Sequence, residues 1–215
     1  MLNVLYKSRF TEKEIVKKKE IWKILCQDFF QRYIPEGSVV LDLGAGFGEF
    51  INNIKCREKY ALDMNQDSSR FINPEVKFFN NPATDLSFLP DEKIDVVFAS
   101  NILEHLETKD QLFNCFLELR RVLKKGGKVI ILGPNMRFVY KEYWDFIDHR
   151  LPLSDRSIAE ILQMMDFNIE RIISRFLPYT TKSGLSKNPA LVRLYLRMPL
   201  AWRVFGKQML VIARK

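Results

Sequence analysis

Apolar residues along the chain follow two periods, and the switches between them outline a fold. Short apolar runs at "SVVLDL", "KYALD", "VKFFN", "IDVVFAS" and "GKVIILG" have the length and β-branched content of buried strands. Before and between them, apolar positions recur at helical spacing. Ile15, Trp22, Leu25, Phe29 and Tyr33 predict a helix over 11–34, opened by a capping box at Thr11 and Glu14 and closed by Pro35. "TKDQLFNCFLELRRVLKKGG" predicts another, capped by Thr108, basic in its last turn and ended by Gly126. A further helix is expected from about Ser154 to Met165, followed by "FNIERIISRF" and a closing strand, "QMLVIAR". Strands that alternate with helices argue for βαβ units and a mostly parallel sheet covered on both faces. Only the stretch 176–207 fails to fit that plan.

Composition adds less than the distribution of charge. With 47% apolar residues the chain buries a full core, and a single domain over 1–215 is expected. No run reaches the roughly 18 apolar residues of a membrane span. The N-terminus lacks the pattern of a secretory signal. Cys26, Cys56 and Cys115 are scattered, which fits thiols packed in a reduced, cytoplasmic protein. The net charge of +8 is concentrated at one end: no acid follows Glu170, whereas ten bases do. That asymmetry points to an anionic partner for the C-terminal segment.

The chemistry starts at "VVLDLGAGFGEF". Gly44, Gly46 and Gly48 stand where the first strand turns toward its helix, at the carboxyl edge where parallel sheets bind ligands. A dinucleotide fingerprint places glycines first, third and sixth, but the sixth position here is Glu49, which would repel a pyrophosphate. No Gly-Lys-Ser/Thr follows, so a Walker loop is excluded as well. Asp63 ends the second strand, 21 residues after Asp42, where an acid binds ribose hydroxyls. A cationic nucleoside without phosphate suits both acids, and S-adenosylmethionine is such a molecule.

The chain resembles a class I S-adenosylmethionine-dependent methyltransferase of the small single-domain type. The resemblance is carried by "VLDLGAGFGEF", "YALDMN", "NPATDLSFLPDEKIDVVFASNILEHL" and "LRRVLKKGGKVIILGPN", in the family's order over about 38–135. It implies an α/β, Rossmann-like, doubly wound seven-stranded sheet of order 3-2-1-4-5-7-6, with the last strand antiparallel. Residues 38–135 would form the cofactor-binding half and 136–215 the acceptor side, with the helix over 11–34 closing on the cofactor. Asp42, Gly44, Ala45 and Gly46 would hold the methionine portion, Asp63 the ribose, and Met64 would pack beside the adenine. Asp85 and Leu86 would meet the adenine amino group, and Ser100 and Asn101 the sulfonium end. The product would be S-adenosylhomocysteine.

Methyl transfer is a displacement at an activated carbon, so positioning does most of the work and the family has no universal base. The candidates are His105 in "SNILEHL", and His149 in "YKEYWDFIDHR" with Asp148 as its orienter and Tyr143 nearby. No metal is expected, because no ligand spacing shows. The long link 176–207, where ordinary members have a short hairpin, is basic and aromatic. Leu191, Leu194, Tyr195 and Met198 share one helical face, Arg193 and Arg197 another, and Pro199 should break the helix ahead of Trp202 and Phe205. Such a piece suits a lid packed on the core, an anionic membrane surface or lipid-linked acceptor, or RNA. The expected acceptor is therefore the oxygen of a small molecule or of a glycan or lipid-linked molecule. An RNA methyltransferase, or a non-catalytic cofactor-binding subunit, is the alternative.

Overall fold

The computed structural model of the protein describes residues 12–179 and 188–215. The capping box expected at Thr11, and the part of the basic link over 180–187, lie outside them. Strands β1 (Val39–Leu43), β2 (Glu58–Leu62), β3 (Lys77–Phe79), β4 (Ile94–Ser100), β5 (Leu123–Pro134), β6 (Asn168–Ile173) and β7 (Gln208–Arg214) form one sheet. Its order is β3-β2-β1-β4-β5-β7-β6, as the resemblance implies. β1 to β5 pair in parallel, and β7 runs antiparallel to both of its neighbours.

Alternate residues of the central strands face opposite layers, as the pleat requires. Leu41, Val97, Ile131 and Val211 pack under helices α2 (Lys109–Val122) and α4 (Asp155–Met164), through Cys115, Phe116, Leu119, Ile158 and Leu162. Val40, Phe98, Ile130 and Ile212 face the other layer, built from α1 (Glu12–Asp28), α5 (Pro189–Leu196) and α6 (Pro199–Phe205). A short helix, α3 (Met136–Val139), follows β5. Aromatic rings fill the second layer: Phe50 stacks on Phe98 with centroids 3.7 Å apart, and Phe29 lies 4.5 Å from Phe176.

Three helical expectations are corrected. The first helix ends at Asp28 rather than at Pro35, and Phe30–Tyr33 forms a 3-10 turn. The break at Phe29, φ −127° and ψ −60°, turns Phe29 and Phe30 together into the core. α2 is capped by Thr108, whose side chain accepts from the Gln111 amide, but it ends at Val122. Arg121 ties that end down through the Leu86 and Leu89 carbonyls, and Leu123 already pairs with Ile94 as strand. After β1 the chain makes successive turns instead of a regular helix, because Gly44, Gly46 and Gly48 all take positive φ.

The link into β7 holds two helices. Pro199 breaks the first and serves the second as a first-turn residue, where its missing N–H is harmless. Val192, Tyr195, Leu196 and Trp202 pack on the sheet, and Trp202 Nε1 donates to the Tyr195 carbonyl at 2.8 Å. Leu191, Leu194 and Met198 are exposed, so the face expected to bury with Tyr195 is split between core and surface.

The acceptor side is pinned by Asp155, the first residue of α4. Its carboxylate accepts from Asn135 Nδ2 at 2.9 Å, Arg137 Nη1 at 3.0 Å and Ser174 Oγ at 2.6 Å. Burial opposes ionisation here, but the bonds from Ser174, Asn135 and Arg137 outweigh it and hold the carboxyl below its ordinary range. The stability it contributes is full above the usual carboxylate range and is lost as pH falls through the lowered one. Asp155→Asn should cost about 2–3 kcal/mol in urea unfolding at pH 7. The gap to wild type should narrow as the pH of the same measurement is lowered.

Candidate active site

The carboxyl ends of β1, β2 and β4 meet in a crevice walled by backbone. The Gly44 and Ala45 amides both donate to the Leu62 carbonyl at the end of β2, at 2.8 and 2.9 Å. Gly44 has φ +75°, and a Cβ there would lie 2.8 Å from Ile102 in the loop after β4. The position excludes any side chain on both counts. Asp63 spans the crevice, its Oδ2 accepting from the Gly46 amide at 2.7 Å and its Oδ1 from the Asn65 amide at 2.8 Å. Burial raises its pKa, while the bonds from Asn65, Gly46 and Ser68 and the charge of His105 act the other way. His105 thus faces the same crevice.

Asp42, the next-to-last residue of β1, is buried at 3% exposure. Burial, then the neighbouring Glu49 carboxylate, push its pKa well up, against a hydrogen bond from the Ile51 amide. Glu49 in turn pairs with Lys18 of α1 at 2.8 Å, which ties the N-terminal helix to the glycine turn. Met64 stands exposed beyond β2. Asn101 holds a left-handed backbone at φ 51°, with its amide donating to the Leu132 carbonyl at 2.8 Å and its Nδ2 to Ser100 Oγ at 3.0 Å. A non-glycine residue in that region stores strain where β4 opens onto the crevice.

Asp85 and Leu86 are not brought to this group. Asp85 accepts from the Ser87 amide and from Asn81 Nδ2, and borders a hollow shared with Asn114 and Glu118 of α2. Leu86 is fully buried, and its amide donates to Glu118 Oε2.

On the acceptor side the loop after β4 meets the segment after β5. His105 Nδ1 lies 3.0 Å from the Asp148 carbonyl and 3.5 Å from its carboxylate. Asp148 therefore contacts His105 across the crevice mouth. The two imidazoles are neighbours, with ring centroids 5.1 Å apart. His149 is buried among Tyr143, Phe146 and Tyr179. Tyr143 is fully buried, its hydroxyl donates to the Leu151 carbonyl, and burial pushes its phenol far up. It braces the segment. Glu104, which the sequence pattern does not single out, is buried at 3% exposure beside the imidazoles. Its only signal is its place before His105. The expectation of no ligand cluster is corrected: Glu104, His105 and His149 offer ligand atoms within 4.8 Å of one another.

The sequence profile of the family described as "Methyltransferase domain" matches residues 41–131, the stretch from β1 into β5. An uncharacterized protein of Methanocaldococcus jannaschii is 31% identical over 170 residues, covering 75% of this chain and 77% of that protein. A solved S-adenosylmethionine-dependent methyltransferase from Archaeoglobus fulgidus shares the fold with a TM-score of 0.70. It covers 92% of this chain and 94% of its own at 22% identity. A chain from the complex between the Haloferax volcanii Trm112 methyltransferase activator and a methyltransferase gives a TM-score of 0.63. It covers 91% of this chain and 96% of its own at 15% identity. Together these findings define the class: the chain belongs to the class I S-adenosylmethionine-dependent methyltransferases, and S-adenosylmethionine is its cofactor.

The crevice fits that cofactor. A carboxylate has about four acceptor positions, and the Asp63 contacts with Gly46, Asn65 and Ser68 leave room for a ribose hydroxyl. Titration calorimetry with S-adenosylhomocysteine should show Asp63→Ala binding about 10- to 100-fold more weakly than wild type, the loss of one or two charge-assisted bonds. Unchanged affinity would remove Asp63 from the site.

Proposed function

We propose that the protein methylates an oxygen of a small-molecule, glycan or lipid-linked acceptor by in-line displacement, with the acceptor entering past His105. The observation that carries this reading is the His105–Asp148 contact at the crevice mouth. With Nδ1–H donated to the Asp148 carbonyl at 3.0 Å, Nε2 carries the lone pair that takes a proton from an acceptor hydroxyl. Bound S-adenosylmethionine supplies an electrophilic methyl group. The chain's own residues do the rest. Gly44, Ala45 and Gly46 hold the methionine portion against the β1 turn, Asp63 takes the ribose, and Met64 covers the adenine. Ser100 and Asn101 line the reacting end. We leave Asp85 out of the adenine contacts, because it borders the hollow lined by Asn114 and Glu118 of α2 instead of the crevice.

The same reading places α5 and α6 against an anionic membrane or a lipid-linked acceptor. Leu200, Val204 and Phe205 are 74%, 64% and 63% exposed, beside the exposed Arg197 and Arg203. Apolar side chains at the surface with arginines around them suit an interface where each base contributes about 1 kcal/mol. Among the described residues no helix is long and apolar enough to cross a membrane.

Two experiments test the reading. Methyl-labelled cofactor is offered with hydroxylated small molecules, glycans, polyprenyl-linked acceptors and RNA. Label should enter the first three classes, and His105→Asn should lower kcat about 100-fold or more. Label in RNA alone would overturn the acceptor. Cofactor binding without turnover on any acceptor would support a partner subunit, a possibility raised by the fold shared with the Trm112 complex. In vesicle sedimentation, the protein should pellet with anionic but not neutral vesicles, and Leu200→Glu with Phe205→Glu should release it.

A further inference from the structure

We propose that Glu104, His105 and His149 form a binding site for one first-row divalent transition-metal ion, on the acceptor side of the crevice. The three residues come from two segments that only the fold brings together: Glu104 and His105 from the loop after β4, His149 from the segment after β5. Two imidazole nitrogens and a carboxylate oxygen are the ligand set of zinc and non-haem iron sites that keep positions open for a substrate.

Three further observations support an ion there. One ring nitrogen of His105 is held by the Asp148 carbonyl, as the non-ligating nitrogen of a metal-bound histidine is. Glu104 is buried beside the imidazoles, its carboxylate lying over Gly133 of β5. A carboxylate buried so deeply needs a cation beside it. The ring of Tyr179 lies 6.5 Å from that of His149, and its buried hydroxyl oxygen meets no hydrogen-bond partner among the described residues.

Ligand atoms within 4.8 Å of one another need to close by about an ångström to share an ion at bonds of roughly 2.0–2.1 Å. His105, partly exposed where Glu104 and His149 are buried, is the residue that would make that movement. The inference rests on the methyltransferase reading only for its purpose: with an ion bound, His105 Nε2 would be a ligand and no longer the base. The ion would then replace the imidazole as the activating group, lowering the pKa of a bound acceptor hydroxyl, whose proton would leave to solvent.

The test uses the full chain, stripped with chelator and titrated with Co2+ in the absence of cofactor. Visible d–d absorption should saturate at one equivalent, and Zn2+ should displace it. His105→Gln, half-exposed and safe for the fold, should weaken Co2+ binding by about 100-fold or more, and Glu104→Gln likewise. S-adenosylhomocysteine titration of the same His105→Gln sample reports that the cofactor site is intact. No Co2+ uptake by the folded wild type, or equal uptake by wild type and His105→Gln, would overturn the site while leaving the methyltransferase reading in place. Loss of S-adenosylhomocysteine binding in the wild type would strike that reading instead.

Discussion

The contact between Gly44 and Ile102 sets the arrangement of everything at the carboxyl edge. The turn after β1 and the loop after β4 pass so closely that a single methyl group at 44 would meet Ile102 at 2.8 Å. Because β1 and β4 are adjacent parallel strands, their ends arrive at the same height, and one of the two must give up its side chain. The glycine does, in a left-handed backbone that no other residue adopts as readily. Ile102 then fills the space, and the two residues after Leu103, Glu104 and His105, turn over toward the segment that follows β5. The cofactor turn and the acceptor-side cluster are two sides of one packing contact.

Electrostatics gives the crevice a second common theme. Asp42, Asp63 and Glu104 are all buried, and burial raises the pKa of each. Each therefore favours its neutral form in the folded chain, and each one ionised at neutral pH weakens the fold. The effect grows as pH rises from the ordinary carboxylate range toward the raised one. A cation seated among them reverses that effect. The positive charge of the cofactor suits the crevice that holds the first two in this way, and the proposed ion suits Glu104. The surface carboxylates behave oppositely. Glu58, for example, is drawn down to about 2 by hydrogen bonds from Lys77, Lys93 and Tyr60. The site is where the protein departs from its own electrostatic habit.

Much of this was legible in the chain. The five apolar runs predict the first five strands, and the edge acid Asp63 is recognisable because a strand ends there. Local signals failed where tertiary contacts overrule them. The "KKGG" after α2 reads as a helix end, yet Leu123 pairs with Ile94 and draws the chain into β5 four residues early. Asp148 reads as the partner of His149 because it is adjacent in sequence, and its contact with His105, 43 residues away along the chain, appears only once the two loops meet. Glu104 reads as a helix-surface acid in "LEHL". Only the crossing of two loops over β5 reveals that it is buried. Split faces are equally hard to read: α5 is short enough that the periodicity of Leu191, Leu194, Tyr195 and Met198 does not say which of them turns inward.

The link between β6 and β7 is closed at its base. Phe176 donates to the Gln208 carbonyl at 2.6 Å, and Lys207 and Gln208 both donate to the Leu177 carbonyl at 2.8 Å. The excursion between those bonds leaves and returns through one antiparallel stem on the β7 side of the sheet, and α5 packs back on α1 through Arg193 and Asp28. Lengthening such a loop carries only a slowly growing entropic penalty. Insertions at its exposed positions can therefore accumulate, be exchanged or be lost over evolutionary time with little strain on the sheet. The hairpin works as a cassette slot: lineages sharing one methyl-donor apparatus can diverge in what they methylate by rewriting this one excursion of the chain.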